Sequence, residues 1–155
     1  MRDALPTEFV RSHTTNSRLR DHLRPPVVYG GLLQAAVLGG FVAAGFEMQP
    51  RIFAVGMVGP ALAALLTAPD AGWVDAPLSG VFGGCLYLLG VLAYGAYVAS
   101  GYEYVLATWV FGEYISLALT QAVMLLPAFV FFGLIVGGVV GWLKAARRRR
   151  RQRRE

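Results

Sequence analysis

The chain has 155 residues, 56% of them hydrophobic and only 15% charged, with a formal net charge of +5 at pH 7. Soluble globular domains run to about 45–50% apolar and about 25% charged residues, so a water-soluble globular domain of ordinary composition is excluded. The basic residues cluster at the two ends, which also excludes a uniformly basic nucleic-acid-binding domain.

Residues 1–26 read as a polar cytoplasmic segment. Arg2, Arg11, Arg18, Arg20 and Arg24 stand there against Asp3, Glu8 and Asp21, and apolar content is too low for independent folding. A short surface-lying helix fits around 17–23. The segment is too long and too charged for the n-region of a signal peptide. Pro25 and Pro26 close it and suit the first turn of a helix.

The transmembrane domain is expected over 27–143. The first span, 27–46, carries no charge and matches a hydrocarbon core of about 30 Å. Glu47, Gln49, Pro50 and Arg51 make a turn. The second span, 52–68, lies near the lower length limit. A loop over 69–77 holds Asp70 and Asp75 among turn formers, and the third span covers 78–99. After a turn at 100–103, residues 104–143 contain a single charge, Glu113. As one helix that stretch would run about 60 Å, twice the bilayer core. No turn divides it into two spans. Residues 105–112, with Trp109, are therefore assigned to an interfacial or re-entrant piece before a fourth span over 115–143, kinked at Pro127. The expected fold is an all-α, polytopic integral membrane protein with four transmembrane helices in two hairpins.

An arginine-rich tail, 144–155, follows. Both ends of the chain are basic, which places both termini in the cytoplasm of a cell (plasma) membrane protein and requires an even number of spans. Tyr29 and Trp142 then mark the cytoplasmic interface. Tyr97, Tyr102, Tyr104 and Trp109 mark the other.

Small residues at intervals of four suggest how the spans pack. Gly133, Gly137 and Gly141 form one ridge, Gly31 and Gly39 with Ala35 and Ala43 a second, and Gly80 with Gly84 a third. Such ridges let helix backbones approach closely. They serve packing within the chain, or against a second copy or a membrane-protein partner. Lys144, Arg147, Arg148, Arg149, Arg150, Arg151, Arg153 and Arg154 form a stop-transfer anchor suited to anionic lipid headgroups. Nucleic acid is a poor candidate for this tail, because no aromatic residues interleave the arginines.

Chemistry-bearing residues are sparse. Pro60 and Pro127 each remove a backbone hydrogen bond in mid-span, as in the discontinuous helices of transporters. Gln34 and Gln121 are polar residues within spans, and Glu113 is the acid closest to one. These five are the candidate transport residues. No ionisable group is expected deep within a span, where one would mark a transport path. Cys85 stands alone and is expected as a small buried hydrophobe. His13 and His22 have no cysteine partners, so no metal site is expected. No catalytic or phosphate-binding motif occurs in a suitable context, and no cofactor is expected.

The stretch PALAALLTAPDAGWVDAPLSGVFGG, residues 60–84, joins one Gly/Ala-rich hairpin to another through an Asp/Gly loop and a Gly-rich helix start. Over residues 27–99 this resembles small Gly/Ala-rich membrane proteins common in haloarchaea. The resemblance implies only an integral membrane location, with no known activity and no functional residues to carry over. The function expected is a non-enzymatic structural or accessory membrane component, packed through small-residue faces and contacting anionic lipid. The alternative is a small oligomeric transporter or channel.

Overall fold

A computed structural model describes residues 24–45, 51–68 and 70–152, apart from the side chain of Arg151. The expected polar segment up to residue 23, the turn residues Glu47, Gln49 and Pro50, and Arg153 and Arg154 lie outside the described residues. Five helices follow in order: α1 Pro25–Ala43, α2 Arg51–Gly56, α3 Val58–Leu66, α4 Gly72–Ala99 and α5 Tyr104–Gln152. Among the described residues there is no strand. Three helices, α1, α4 and α5, are long and apolar enough to cross a membrane.

Local chemistry accounts for most boundaries. Prolines occupy the first two positions of α1, where their missing N–H groups would find no helical partner anyway. Gly45, at φ +79°, ends that helix, in the left-handed conformation that glycine adopts without a Cβ penalty. The second apolar stretch is broken at Met57 into helices of six and nine residues. Pro60 is the cause: it has no N–H for the Gly56 carbonyl one turn back. The Met57 N–H turns to the Ala54 carbonyl, three residues away, at 3.2 Å.

Two expectations from the sequence are corrected. The helix assigned to 78–99 begins at Gly72, so Trp73, Asp75 and Pro77 belong to its first turns and not to a loop. Packing outweighs the proline's cost here. A Cβ on Gly133 would stand 2.6 Å from Pro77 Cα, so α5 lies directly against the proline-bearing backbone. Residues 105–112 are likewise no separate piece. They are the start of α5, a continuous helix of 49 residues, roughly 73 Å long at 1.5 Å per residue. Nothing in 104–114 breaks a helix, and exposed Pro127 does not end it. The basic residues up to Gln152 extend the same helix beyond the apolar region.

α4 is the central element, packed against α1, α3 and, most extensively, α5. Leu38, Ile52, Tyr87, Leu125 and Phe129 form the core, with Phe53, Val55, Leu88 and Val91 against it. Phe129, 1% exposed, lies against Gly56 of the broken helix and against Gly80 and Gly84 of α4. Gly56 and Gly84 thus form the seat for the ring, because a side chain there would occupy its volume, while Gly80 lies against the Phe129 backbone and Cβ.

Candidate functional site

The site grows out of the glycines. Where α1, α3 and α4 cross, Gly30, Gly31, Gly59 and Gly83 have no side chains to hold the backbones apart. A Cβ on Gly59 would stand 2.5 Å from the Gly30 carbonyl oxygen, and one on Gly83 2.7 Å from that of Gly31. Close approach encloses the polar side chains at the crossing.

Gln34 is 0% exposed and sits between Gly59 and Gly83. Its Nε2 donates to the Gly80 carbonyl at 3.3 Å, while its Oε1 has no partner. Ser79, also 0% exposed, presses its hydroxyl against Gly30, and that Oγ has no partner either. One turn toward the start of α4 lies Asp75, 3% exposed, with Oδ2 unpartnered. Asp75, Ser79, Gly83 and Tyr87 recur every four residues, so they share one face of α4. All four are buried. At the far end of this line the Gln121 side chain adjoins the Tyr87 hydroxyl, yet neither Gln121 Oε1 nor Tyr87 Oη has a hydrogen-bond partner of good geometry. A buried polar atom left without a partner costs about 1–3 kcal/mol, and more when charged. Tyr87 and Gln121 adjoin each other, which leaves the isolated unpartnered atoms on Asp75, Ser79 and Gln34.

A second arrangement closes the same end of the bundle. Lys144, in the last third of α5, donates to the carbonyls of Ala64, Leu65 and Thr67 at 2.8, 2.7 and 2.6 Å. Ala64 and Leu65 carry two of the last carbonyls of α3, which lack helical donors, and Thr67 is the residue that caps it. A cation there also meets the negative end of the helix dipole. Thr67 adds a bond from its own hydroxyl to the Ala63 carbonyl at 2.8 Å.

The sequence candidates divide accordingly. Gln34 and Pro60 meet at the crossing, where Pro60 Cγ would stand 3.3 Å from a Cβ on Gly80. Gln121 is buried farther along the seam; Glu113 and Pro127 are exposed and apart from it. Gly31, Gly80, Gly84, Gly133 and Gly137 all face other parts of this chain, Gly137 against the Gly72 carbonyl. Gly39 has nothing within 4 Å, and Gly141 is half-buried. Arg147, Arg148, Arg149 and Arg150 are exposed, whereas the Lys144 ammonium is turned to backbone. Cys85 is exposed, not buried, because the packed face of α4 is the one that carries Gly80 and Gly84.

Asp75 is the residue that the sequence reading missed. The sequence places it in a loop; it stands instead in the first turn of α4, enclosed near the start of that helix. A helix start at Gly72 would have revealed it, since the four-residue spacing through Ser79 and Tyr87 is visible in the sequence. No family model matches the chain, and neither a curated protein nor a solved structure matches it.

Proposed function

We propose that the chain is a plasma-membrane protein of four helical passes in two hairpins, with both termini in the cytoplasm, acting as a non-enzymatic structural or accessory component. The broken pair α2 and α3 supplies the remaining pass. Aromatic residues support the two interfaces: Tyr29, Trp73 and Trp142 are exposed at one end of the bundle, and Tyr97, Tyr102, Tyr104 and Trp109 at the other, as belts at headgroup level.

The observation that carries this reading is the pairing of an inward small-residue packing with an outward basic helix. Five of the seven candidate packing glycines are used within the chain, so the bundle is self-contained. The outer faces present Leu, Val and aromatic side chains suited to lipid or to a membrane-protein partner. Arg147–Arg150 extend from it, each worth about 1 kcal/mol beside an anionic surface. Native mass spectrometry of the protein released from nanodiscs tests the assignment. Retained anionic lipid is expected, reduced when Arg147, Arg148, Arg149 and Arg150 are all changed to Gln. Equal retention by both forms would overturn the lipid-contact role.

A second reading, a small oligomeric transporter or channel, is favoured by the buried seam from Asp75 to Tyr87 beside a broken helix. Solute flux in proteoliposomes that is lost on Gln34→Ala would establish it in place of the accessory role.

A further inference from the structure

We propose that the groove between α4 and α5 at the Lys144 end of the bundle holds one acyl chain of an anionic phospholipid, whose phosphate meets Arg148. This rests on the reading above, that these helices span a membrane and that the basic helix contacts anionic lipid. It adds a defined place for a single lipid.

The groove follows from how the two helices meet. Gly133 and Gly137 press the α5 backbone against Pro77 and Gly72, and the larger residues flanking that contact stand up as walls. Trp73, Pro77, Leu78 and Val81 of α4 and Val130 and Leu134 of α5 line a groove of about 270 Å³. Trp73, Val130 and Leu134 are exposed, so it opens on the outer surface of the bundle. Sites for drug-sized ligands run to about 300–1,000 Å³, and a single hydrocarbon chain needs less.

Depth and length suit that chain. Trp73 stands at the end where Tyr29 and Trp142 are also exposed, the belt that marks headgroup level. From Trp73 to Val81 the groove descends eight residues, about 12 Å, where one leaflet supplies about 15 Å of hydrocarbon.

Above the groove α5 leaves the way to a headgroup clear. Leu134, Gly141 and Arg148 follow at intervals of seven, close to two turns each, so they keep nearly to one line along the helix. Gly141 presents no side chain, and beside it Gly138 has nothing within 4 Å. Arg148 is exposed. Helical side chains lean toward the N-terminus of their own helix, which for Arg148 is toward the groove, and a guanidinium matches phosphate with a fork of N–H donors. Arg150, two residues on, lies on the opposite side of the helix.

Charge decides between lipid and a second copy of the chain. Copies sharing one orientation in the membrane would bring their arginine helices side by side at this end, and like charges repel. An anionic lipid neutralises them instead.

The test makes Trp73 the sole tryptophan of the full chain, by Trp109→Phe and Trp142→Phe at two exposed positions, in nanodiscs of zwitterionic phosphatidylcholine. Phosphatidylglycerol with brominated acyl chains, which quench tryptophan on contact, is titrated in, and brominated phosphatidylcholine is the comparison. The anionic lipid should quench saturably at low mole fraction, the zwitterionic one only in proportion to its mole fraction. Arg148→Gln should raise the half-saturating fraction about fivefold, Arg150→Gln should raise it less, and Leu134→Phe, which fills the groove, should remove the saturable component. If Leu134→Phe does not fold, exposed Arg148 decides. Proportional quenching by both lipids, equal shifts from the two arginine substitutions, or a dimer whose Trp73 no lipid quenches would each overturn the site. Arginine-dependent retention of anionic lipid is a separate readout: if it stands while quenching is proportional, only the groove site falls, and if it fails, the lipid-contact reading falls with it.

Discussion

The two ends of the bundle use the same residue types in opposite ways. At the Lys144 end, Gly30, Gly31, Gly59, Gly133 and Gly137 each face another part of the chain at a distance no Cβ would tolerate. Toward the other end, Gly39, Gly40, Gly90 and Gly112 have nothing within 4 Å, and Tyr97, Tyr102 and Tyr104 are exposed. Between helices in lipid there is no hydrophobic driving force, so close backbone approach and hydrogen bonding must supply cohesion. The tight end has both, and Asp75, Ser79 and Gln34 are buried along its helices at successive levels. Two glycines are exceptions: at the open end Tyr114 lies against Gly95 and also meets Tyr94 edge-on, with ring centroids 6.0 Å apart, and at the tight end Gly138 has nothing within 4 Å.

Substitutions can break or sharpen this contrast. The largest effect is expected for Phe129→Ala, which empties the seat formed by Gly56 and Gly84 and should cost about 3–5 kcal/mol, measured by reversible unfolding in micelles. A loss below about 1 kcal/mol would mean that the helices around Gly56 and Gly84 collapse onto the gap. Gly133→Leu comes next, at about 1–3 kcal/mol or more, because the side chain would meet the backbone of Ala76 and Pro77 and not a movable side chain. Native mass spectrometry separates this from an assembly role: disruption of the fold is expected, not a change of oligomer with the fold kept.

Lys144→Met is expected to destabilise by about 2 kcal/mol, since it leaves three carbonyls at the end of α3 without a charged donor. Hydrogen exchange should rise first at Ala63–Thr67; protection unchanged there would remove the cap from the account. The smallest effect is expected for Gly40→Ala in the open region, neutral or stabilising by about 0.5–1 kcal/mol through helix propensity. A marked loss of stability would show that the open face is covered by another protein.

Much of the fold was legible from particular residues. The apolar runs, Pro25 and Pro26, the break near Pro60 and the turn at 100–103 all appear where the sequence places them, because each rests on local chemistry. The start of α4 was not legible. Asp70, Gly72, Asp75 and Pro77 read locally as turn formers, and only the contact with Gly133 and Gly137 makes a helix of them. The extent of α5 was misjudged for another reason: bilayer thickness argues for dividing forty residues, but a helix with no internal breaker need not stop at the membrane surface.

The candidate site was legible by halves. Gln34 and Pro60 stood out as polar or helix-breaking residues in apolar runs, whereas Asp75, Ser79 and Tyr87 looked ordinary until one face of α4 was seen to be buried. What the sequence by itself determined is the class of protein: a helical chain with long apolar segments and charge concentrated at its ends. Those properties follow from composition and spacing along a single strand of chain. Which glycines are pressed against backbone, where the Lys144 ammonium goes and whether a carboxylate is enclosed were decided by tertiary structure alone. Each depends on the distance between helices far apart in sequence, and no local pattern encodes that distance.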